Sequence, residues 1–305
     1  MNGVIVINKP MEFTSFDVVA VVRKALNTKK VGHCGTLDPN ATGVLPVLVG
    51  RAVKAQDILP NHDKSYVATF RLGVVTDTLD IWGKVQKEEK TSVKKAELLS
   101  ELQKFRGETE QIPPMFSAVK VDGKRLYDLA REGKEVKREA RKITVYDLRL
   151  LEFDEDTQEG KLYVSCSKGT YIRTLIDDIA KCVCIGGTMT SLVRDSACGF
   201  SLESAITLEE LKALCEKGCA EEKILPTESL FTAYKEVFVS PLQAKRFANG
   251  GTLDARRIKE IPTLSQGEIL RVKCMEKDFW ALGRYFPDTK EIKVYKQFCD
   301  FTDAN

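Results

Sequence analysis

Histidine is nearly absent: His33 and His62 are the only two among 305 residues. No paired Cys-x-x-Cys set accompanies them. Cys182 and Cys184 stand too much alone to make a zinc site. No metal centre is therefore expected. A glycine loop of the nucleotide-binding kind is also missing, so no cofactor is expected. No stretch approaches the roughly 20 apolar residues that a membrane span needs. Residues 1–10 lack the basic-then-apolar layout of a secretory signal. The nine cysteines are odd in number and scattered, some of them inside apolar runs such as 163–166. That pattern suits reduced cytosolic thiols better than a disulfide framework, and the expected location is cytoplasmic. Nor is there a large excess of one charge. A net charge of +3 neither requires nor excludes a nucleic-acid partner, because local patches carry such binding.

What is present describes a chain able to build a core. Apolar residues make up 43% and charged residues 30%, over a length that suits one large domain or two ordinary ones. A short strand is expected over 4–7, stopped by Asn8-Lys9-Pro10. Thr14 or Ser15 can cap a helix whose Val18, Val22, Ala25 and Leu26 recur at helical spacing. A glycine-studded loop over 29–42 leads to an apolar strand over 43–50, where Pro46 argues for an edge or a turn. Residues 65–72 alternate, with Tyr66, Ala68, Phe70 and Leu72 sharing a face.

A helix is expected over 91–105 on a stripe of Leu98, Leu99, Leu102 and Phe105. Next come a strand over 116–121 ending in an Asp122-Gly123 turn, and a short helix over 124–131 closed by Gly133. Strands over 142–153 and 161–166 are expected to form a hairpin joined by the acidic linker 154–160, and Thr170 can cap a helix bearing Ile172, Leu175, Ile176 and Ile179. Strands and helices do not alternate strictly, so the fold class is α+β with a mixed sheet. Composition shifts near Pro226. Strand-like segments at 269–275, 279–285 and 291–295 make a small β-rich module.

The most unusual stretch is Gly32-His33-Cys34-Gly35-Thr36-Leu37-Asp38-Pro39. Its glycines give backbone freedom, and Pro39 biases Asp38 toward an extended conformation. Asp38 is either a turn aspartate bonding its own backbone or a carboxylate held out for chemistry. Cys34 could suggest a thiol nucleophile, but nothing couples it to a base.

This loop resembles the G-H-x-G-[TA]-L-D-P signature of the TruB family of pseudouridine synthases. Other segments agree in order: Lys9-Pro10; Asp63-Lys64-Ser65-Tyr66; Leu72-Gly73 with Thr76-Asp77-Thr78-Leu79-Asp80; Gln111 to Ala118 followed by Gly123-Lys124-Arg125-Leu126-Tyr127; and Cys166-Ser167-Lys168-Gly169-Thr170-Tyr171-Ile172-Arg173. The resemblance runs from residue 4 to about 200. It implies a largely antiparallel catalytic domain over 1–230, with an RNA-clamping insert at about 113–142. It further implies isomerisation of the T-loop uridine at position 55 of transfer RNA.

The resemblance assigns roles residue by residue. Asp38 matches the nucleophile. Tyr66 matches a catalytic tyrosine that stacks on the target base, and Arg173 an arginine paired with the nucleophile. His33, Tyr171 and Leu192 match substrate-binding positions. Elementary chemistry agrees with these roles. A carboxylate must be ionised to attack, and a guanidinium beside it favours that form and fixes its direction. A base leaving its stack can be received by a tyrosine face. Read without the resemblance, Tyr66 could equally be a core tyrosine, and Arg173 a surface partner of Asp177 at i,i+4.

Residues 120–142 hold nine Lys/Arg against five Asp/Glu. That suits either a solvated face or a phosphate-binding patch. Around Leu242, Phe247 and Asn249-Gly250 the module at 232–298 resembles a small PUA-like β-barrel for RNA binding. The expected partner is the T-arm stem-loop of transfer RNA, met by a monomer that needs no obligatory protein partner and no membrane. Two rival readings are an RNA chaperone of the same fold and a guide-RNA-dependent synthase.

Overall fold

The computed structural model describes residues 1–301 apart from Asp122 and Met275. Ten strands form one sheet: β1 (Gly3–Lys9), β2 (Val31–His33), β3 (Thr42–Val49), β4 (Lys64–Leu72), β5 (Gly107–Gln111), β6 (Arg141–Asp154), β7 (Glu159–Cys166), β8 (Gly187–Ala197), β9 (Phe200–Ser201) and β10 (Leu225–Pro226). Their order is β10-β1-β3-β8-β4-β7-β6-β5, with β2 beside β3 and β9 beside β8. Only β3 and β8 run parallel; every other pairing is antiparallel. The fold is α+β with a mixed, largely antiparallel sheet.

Helices cover this sheet because their apolar stripes match its inward positions. Helix α1 (Ser15–Ala25) starts at a capping box in which the Thr14 hydroxyl accepts from the Asp17 backbone N–H. With α5 (Leu208–Glu216) it packs Val18, Val22 and Leu211 on Ile5, Ile7, Leu45 and Val47. Helices α2 (Lys95–Leu102) and α4 (Ile172–Ala180) pack Leu98, Leu102, Leu175 and Ile179 on β4, β6 and β7. Along β1 the alternate residues Val4 and Val6 face the other way, into a cluster with Phe231, Leu282 and Phe298. Strand β1 is thus buried on both faces, so it reads as a continuous apolar run.

The second sheet holds β11 (Glu236–Phe238), β12 (Leu253–Asp254), β13 (Ile269–Cys274), β14 (Phe279–Phe286) and β15 (Glu291–Gln297), in the order β11-β13-β14-β15-β12. Its apolar face packs on Ala244 and Phe247 of α6 (Pro241–Ala248). Helix α3 (Leu126–Arg131) lies between β5 and β6 in sequence, after a two-stranded ribbon of Lys120–Val121 with Lys124–Arg125. That ribbon replaces most of the strand expected over 116–121, and its turn residue Asp122 lies outside the described residues.

Other local expectations need correction. Pro46 is in an interior strand. Strand β8 leaves β3 after Gly43 and β2 joins it only at Val47, so the missing N–H of Pro46 falls in the gap between them. The loop over 29–42 contains β2. Leu99 is exposed, because the helix begins at Lys95 and turns its Leu98 and Leu102 inward. Thr170 does not cap α4; its hydroxyl donates to Ser167 O, and the end is closed by Gln111, whose Oε1 accepts from Tyr171 N at 2.8 Å. The strand expected to reach Met275 ends at Cys274, and Met275 lies outside the described residues.

Candidate active site

Asp38 follows β2 on a loop held by main-chain contacts from three buried side chains. Arg194 of β8 donates through Nη2 to Gly35 O at 3.1 Å and through Nη1 to Thr36 O at 3.4 Å, while its Nε donates to Val44 O at 2.7 Å. The Ser15 hydroxyl accepts from Leu37 N at 2.9 Å. Lys9 Nζ donates to Pro39 O and Pro10 O at 2.8 Å and to Phe13 O at 2.5 Å. Three carbonyls around one nitrogen match the three donors of an ammonium. Burial nonetheless pushes Lys9 down to about 8, with the Asp38 charge acting in the opposite sense.

The close packing of Arg194 against β3 depends on Gly43. A Cβ there would stand 2.2 Å from the carbonyl oxygen of Arg194, at a φ of +102° that side chains rarely adopt. Only glycine lets the two parallel strands meet where the loop is anchored.

The Asp38 side chain is 46% exposed, and its Oδ2 lies 2.8 Å from Nη2 of Arg173, whose own side chain is 6% exposed. Arg173 projects from the first turn of α4 and also donates to Thr78 O at 2.9 Å and Phe116 O at 3.0 Å. Its Nη1 stands 3.6 Å from Asp80 Oδ2. Burial holds the Asp80 carboxyl above its ordinary value, and hydrogen bonding from Thr78 and the Arg173 charge pull it back. The alternative pairing of Arg173 with Asp177 does not occur: Asp177 is taken by Lys181 at 2.6 Å.

Asp38, Tyr66, Tyr171, Arg173 and Leu192 together line a cavity of about 100 Å³, with Thr36, Leu37, Thr170 and Ile172 completing its wall. Tyr66 is buried, and that burial above all pushes its hydroxyl up to about 12, with the nearby Arg194 charge acting in the opposite sense. A phenol held neutral by burial keeps its proton, and its ring lines the cavity. Tyr171 is fixed at the start of α4 by Gln111, which also donates through Nε2 to Tyr171 O at 3.0 Å.

This inner cavity shares Thr36, Leu37, Asp38 and Arg173 with a larger outer one of about 480 Å³, lined among others by Phe16, Asp80, Trp82, Phe116, Tyr127 and Arg131. His33 is set back from both cavities. It is buried, its pKa lowered chiefly by that burial, and its ring meets Phe16 edge-on at 5.5 Å. Cys34 is a free, buried thiol, and its Cys198 neighbour together with burial holds it protonated, which ends the reading of Cys34 as a nucleophile. Among the described residues no group of three or more His, Cys, Asp or Glu could hold a metal ion, and no helix is long and apolar enough to cross a membrane.

Sequence reasoning missed the supports. Lys9 and Asp80 were visible within motifs but had no role, and Arg194 was not singled out. The available signal was an arginine two residues after Leu192 on a strand, where the inward side repeats every second residue.

Known proteins resemble this chain along nearly its whole length. Residues 23–172 match the model of the TruB family pseudouridylate synthase N-terminal domain. The tRNA pseudouridine synthase B of Clostridium tetani is 42% identical over 97% of this chain and 99% of its own length. That of Clostridium perfringens is 45% identical over 97% and 98%. Among solved structures, a chain from a Cbf5-Nop10-Gar1 complex superposes with a TM-score of 0.75 at 26% identity, covering 98% of this chain and 85% of that one. With identities above 40% along nearly its whole length, this chain belongs to the TruB family of pseudouridine synthases.

Proposed function

We propose that the chain converts the uridine at position 55, in the T-loop of transfer RNA, to pseudouridine, with Asp38 as nucleophile. The observation that carries this reading is the Asp38–Arg173 pair at 2.8 Å in the wall of a cavity shared with Tyr66, Tyr171 and Leu192. The C1′–N1 bond of the uridine breaks, the detached base turns, and C1′ joins C5, whose proton leaves to solvent while N1 takes one up. Product and substrate are therefore isomers, with one proton exchanged with solvent. Asp38 would hold the fragment while the bond is exchanged, and Arg173 would aim the carboxylate. The Tyr66 ring would receive the base, its neutral hydroxyl placed to pass a proton. Tyr171 and Leu192 would close the sides. The relatives named for transfer RNA are 38–45% identical, against 25–26% for the chains solved with ribonucleoprotein partners, which favours a stand-alone enzyme over a guided one.

Residues 113–142 would close over the RNA, since Tyr127 and Arg131 line the outer cavity and Arg138 Nη1 ties back to Pro113 O at 3.3 Å. The module at 232–298 would add contacts to the rest of the transfer RNA. The test uses transfer RNA transcribed with tritium at C5 of uridine. The purified chain should release one equivalent of tritium, and nucleoside chromatography should show one pseudouridine, both lost when the T-loop uridine is replaced by cytidine. Absence of release from the unaltered RNA rejects the reading.

A further inference from the structure

A uridine that leaves its stack strips a face from each of its neighbours. The inner cavity, at about 100 Å³, has room for one pyrimidine ring, so the flanking bases must rest in the outer cavity or in water. Two large aromatic side chains face that outer space with little cover: Phe16 is 68% exposed and Trp82 46%. Single exposed aromatics are ordinary on protein surfaces. These two differ in sharing a cavity wall with Asp38 and in standing on backbone that is rigidly held.

Phe16 occupies the first turn of α1, inside the Thr14–Asp17 capping box, with His33 against its ring. Trp82 sits on a turn built around Asp80. Trp82 N donates to Asp80 Oδ1 at 3.2 Å, Gly83 N to Asp80 O at 3.1 Å, and Ile81 N to Met189 O at 2.9 Å. Asp80 in turn faces Arg173, which holds Asp38. The Trp82 platform is therefore built from the same contacts that aim the carboxylate. Tyr127, the remaining outer aromatic beside Phe116, is occupied differently: the guanidinium carbons of Arg125 and Arg131 lie 5.7 and 5.5 Å from its ring centroid. That lip offers cations to phosphates, while Phe16 and Trp82 offer bare faces.

We infer that Phe16 and Trp82 are stacking platforms for the two bases that flank the extruded uridine, so that the site grips a trinucleotide. The inference rests on the proposed action at an RNA uridine. Exposed on a pre-set backbone, both rings can take up a base with little ordering cost, and any base supplies the π-face they need.

Trp82 is one of two tryptophans; the other, Trp280, stacks on Phe298 at 5.1 Å. In an Asp38→Asn background, which leaves the RNA unreacted, a T-loop hairpin should quench fluorescence, and adding Trp82→Phe should remove that quenching. In the active enzyme, Trp82→Ala and Phe16→Ala should each lower kcat/KM by roughly 5- to 150-fold, the range spanned by one lost stack, mainly through KM. Trp82→Phe should restore most of the loss and Trp82→Leu should not. Hairpins made abasic at the 5′ or the 3′ neighbour of the target provide the decisive arm. One abasic hairpin should cancel the Trp82→Ala defect and the other the Phe16→Ala defect. Defects that persist undiminished on both abasic hairpins, or unquenched Trp82 in the bound complex, overturn the inference. Failure of the parent enzyme to form pseudouridine would instead remove the proposed function, a result read in a separate assay.

Discussion

Arg173 holds the Asp38 carboxylate at 2.8 Å from a position nearly sealed off from water, while Asp38 itself remains half in contact with it. The buried partner sets the direction and the exposed partner meets the substrate. That asymmetry separates the two residues experimentally.

Replacing Asp38 by Asn keeps the shape and removes the charge and the nucleophile. Pseudouridine formation should vanish while RNA affinity stays near that of the parent, since phosphate contacts and stacking do not need the carboxylate. Nucleoside chromatography and filter binding check this. Turnover by the variant would remove Asp38 from the nucleophile role.

Arg173→Ala should cost both activity and stability. It strips Asp80, whose side chain is only 14% exposed, of its positive neighbour. Breaking a buried pair by removing one partner costs about 3–5 kcal/mol, and the partial exposure of Asp38 puts the expected loss at the lower end. Urea midpoints should recover in part in Arg173→Ala/Asp80→Asn, which no longer leaves a charge behind, while activity stays lost.

Lys9 makes activity and stability diverge at alkaline pH. Its value of about 8 in the folded protein lies below the ordinary 10.5. Between the two, the unfolded chain keeps a proton that the folded protein has released. This group's contribution to stability therefore rises as pH climbs through that window. Activity should fall over the same window, because a neutral amine has two N–H donors for three carbonyls and loosens its hold on Pro39. A pH–rate profile should show an alkaline limb that Lys9→Met abolishes, at reduced overall rate. An identical limb in that variant would assign it to another group.

Gly43→Ala should damage the site from behind. The left-handed backbone alone costs about 1–2 kcal/mol, and the new Cβ also pushes on Arg194. Gly267→Ala is the control: its φ is +72° with nothing within 4 Å of the added carbon. Thermal melts should fall for both, but kcat should drop only for the first.

Removing the residues after Phe231 should unfold the chain and not merely weaken RNA binding. Leu282 and Phe298 sit in one cluster with Val4, Val6 and Leu48 of the ten-stranded sheet. Arg271 of β13 also bonds Glu228 ahead of the module at 2.7 Å. Phe298→Ala alone should lower stability by about 3–5 kcal/mol. A truncated chain with an intact circular-dichroism melt would show that the two sheets are independent.

Much of this was legible in the sequence, for identifiable reasons. The alternation through β4 gave Tyr66, Ala68, Phe70 and Leu72 one buried face, as observed, because a strand's side chains have no choice but to alternate. Thr14 capped α1 because its partner Asp17 is three residues away. Where the partner is remote the reading failed. Arg173 pairs with a residue far off in sequence, not with nearby Asp177, and Gln111 closes α4 where Thr170 was expected. Arg194 escaped because a fully buried arginine breaks the hydrophobic pattern by which inward positions are recognised. Its partners are carbonyl oxygens, which carry no residue identity to detect.

The loop bearing Asp38 is tied down through backbone atoms of residues 35, 36, 37 and 39 by side chains rooted in β1, α1 and β8. Those side chains belong to the sheet and to a helix packed on it. The carboxylate and the scaffold therefore belong to one cooperative unit, unlike a mobile flap that opens at little cost. Hydrogen exchange at the Leu37 amide should be as slow as in the strands around it. Heat should then leave no partly disabled enzyme: molecules are either native with the carboxylate in place, or unfolded.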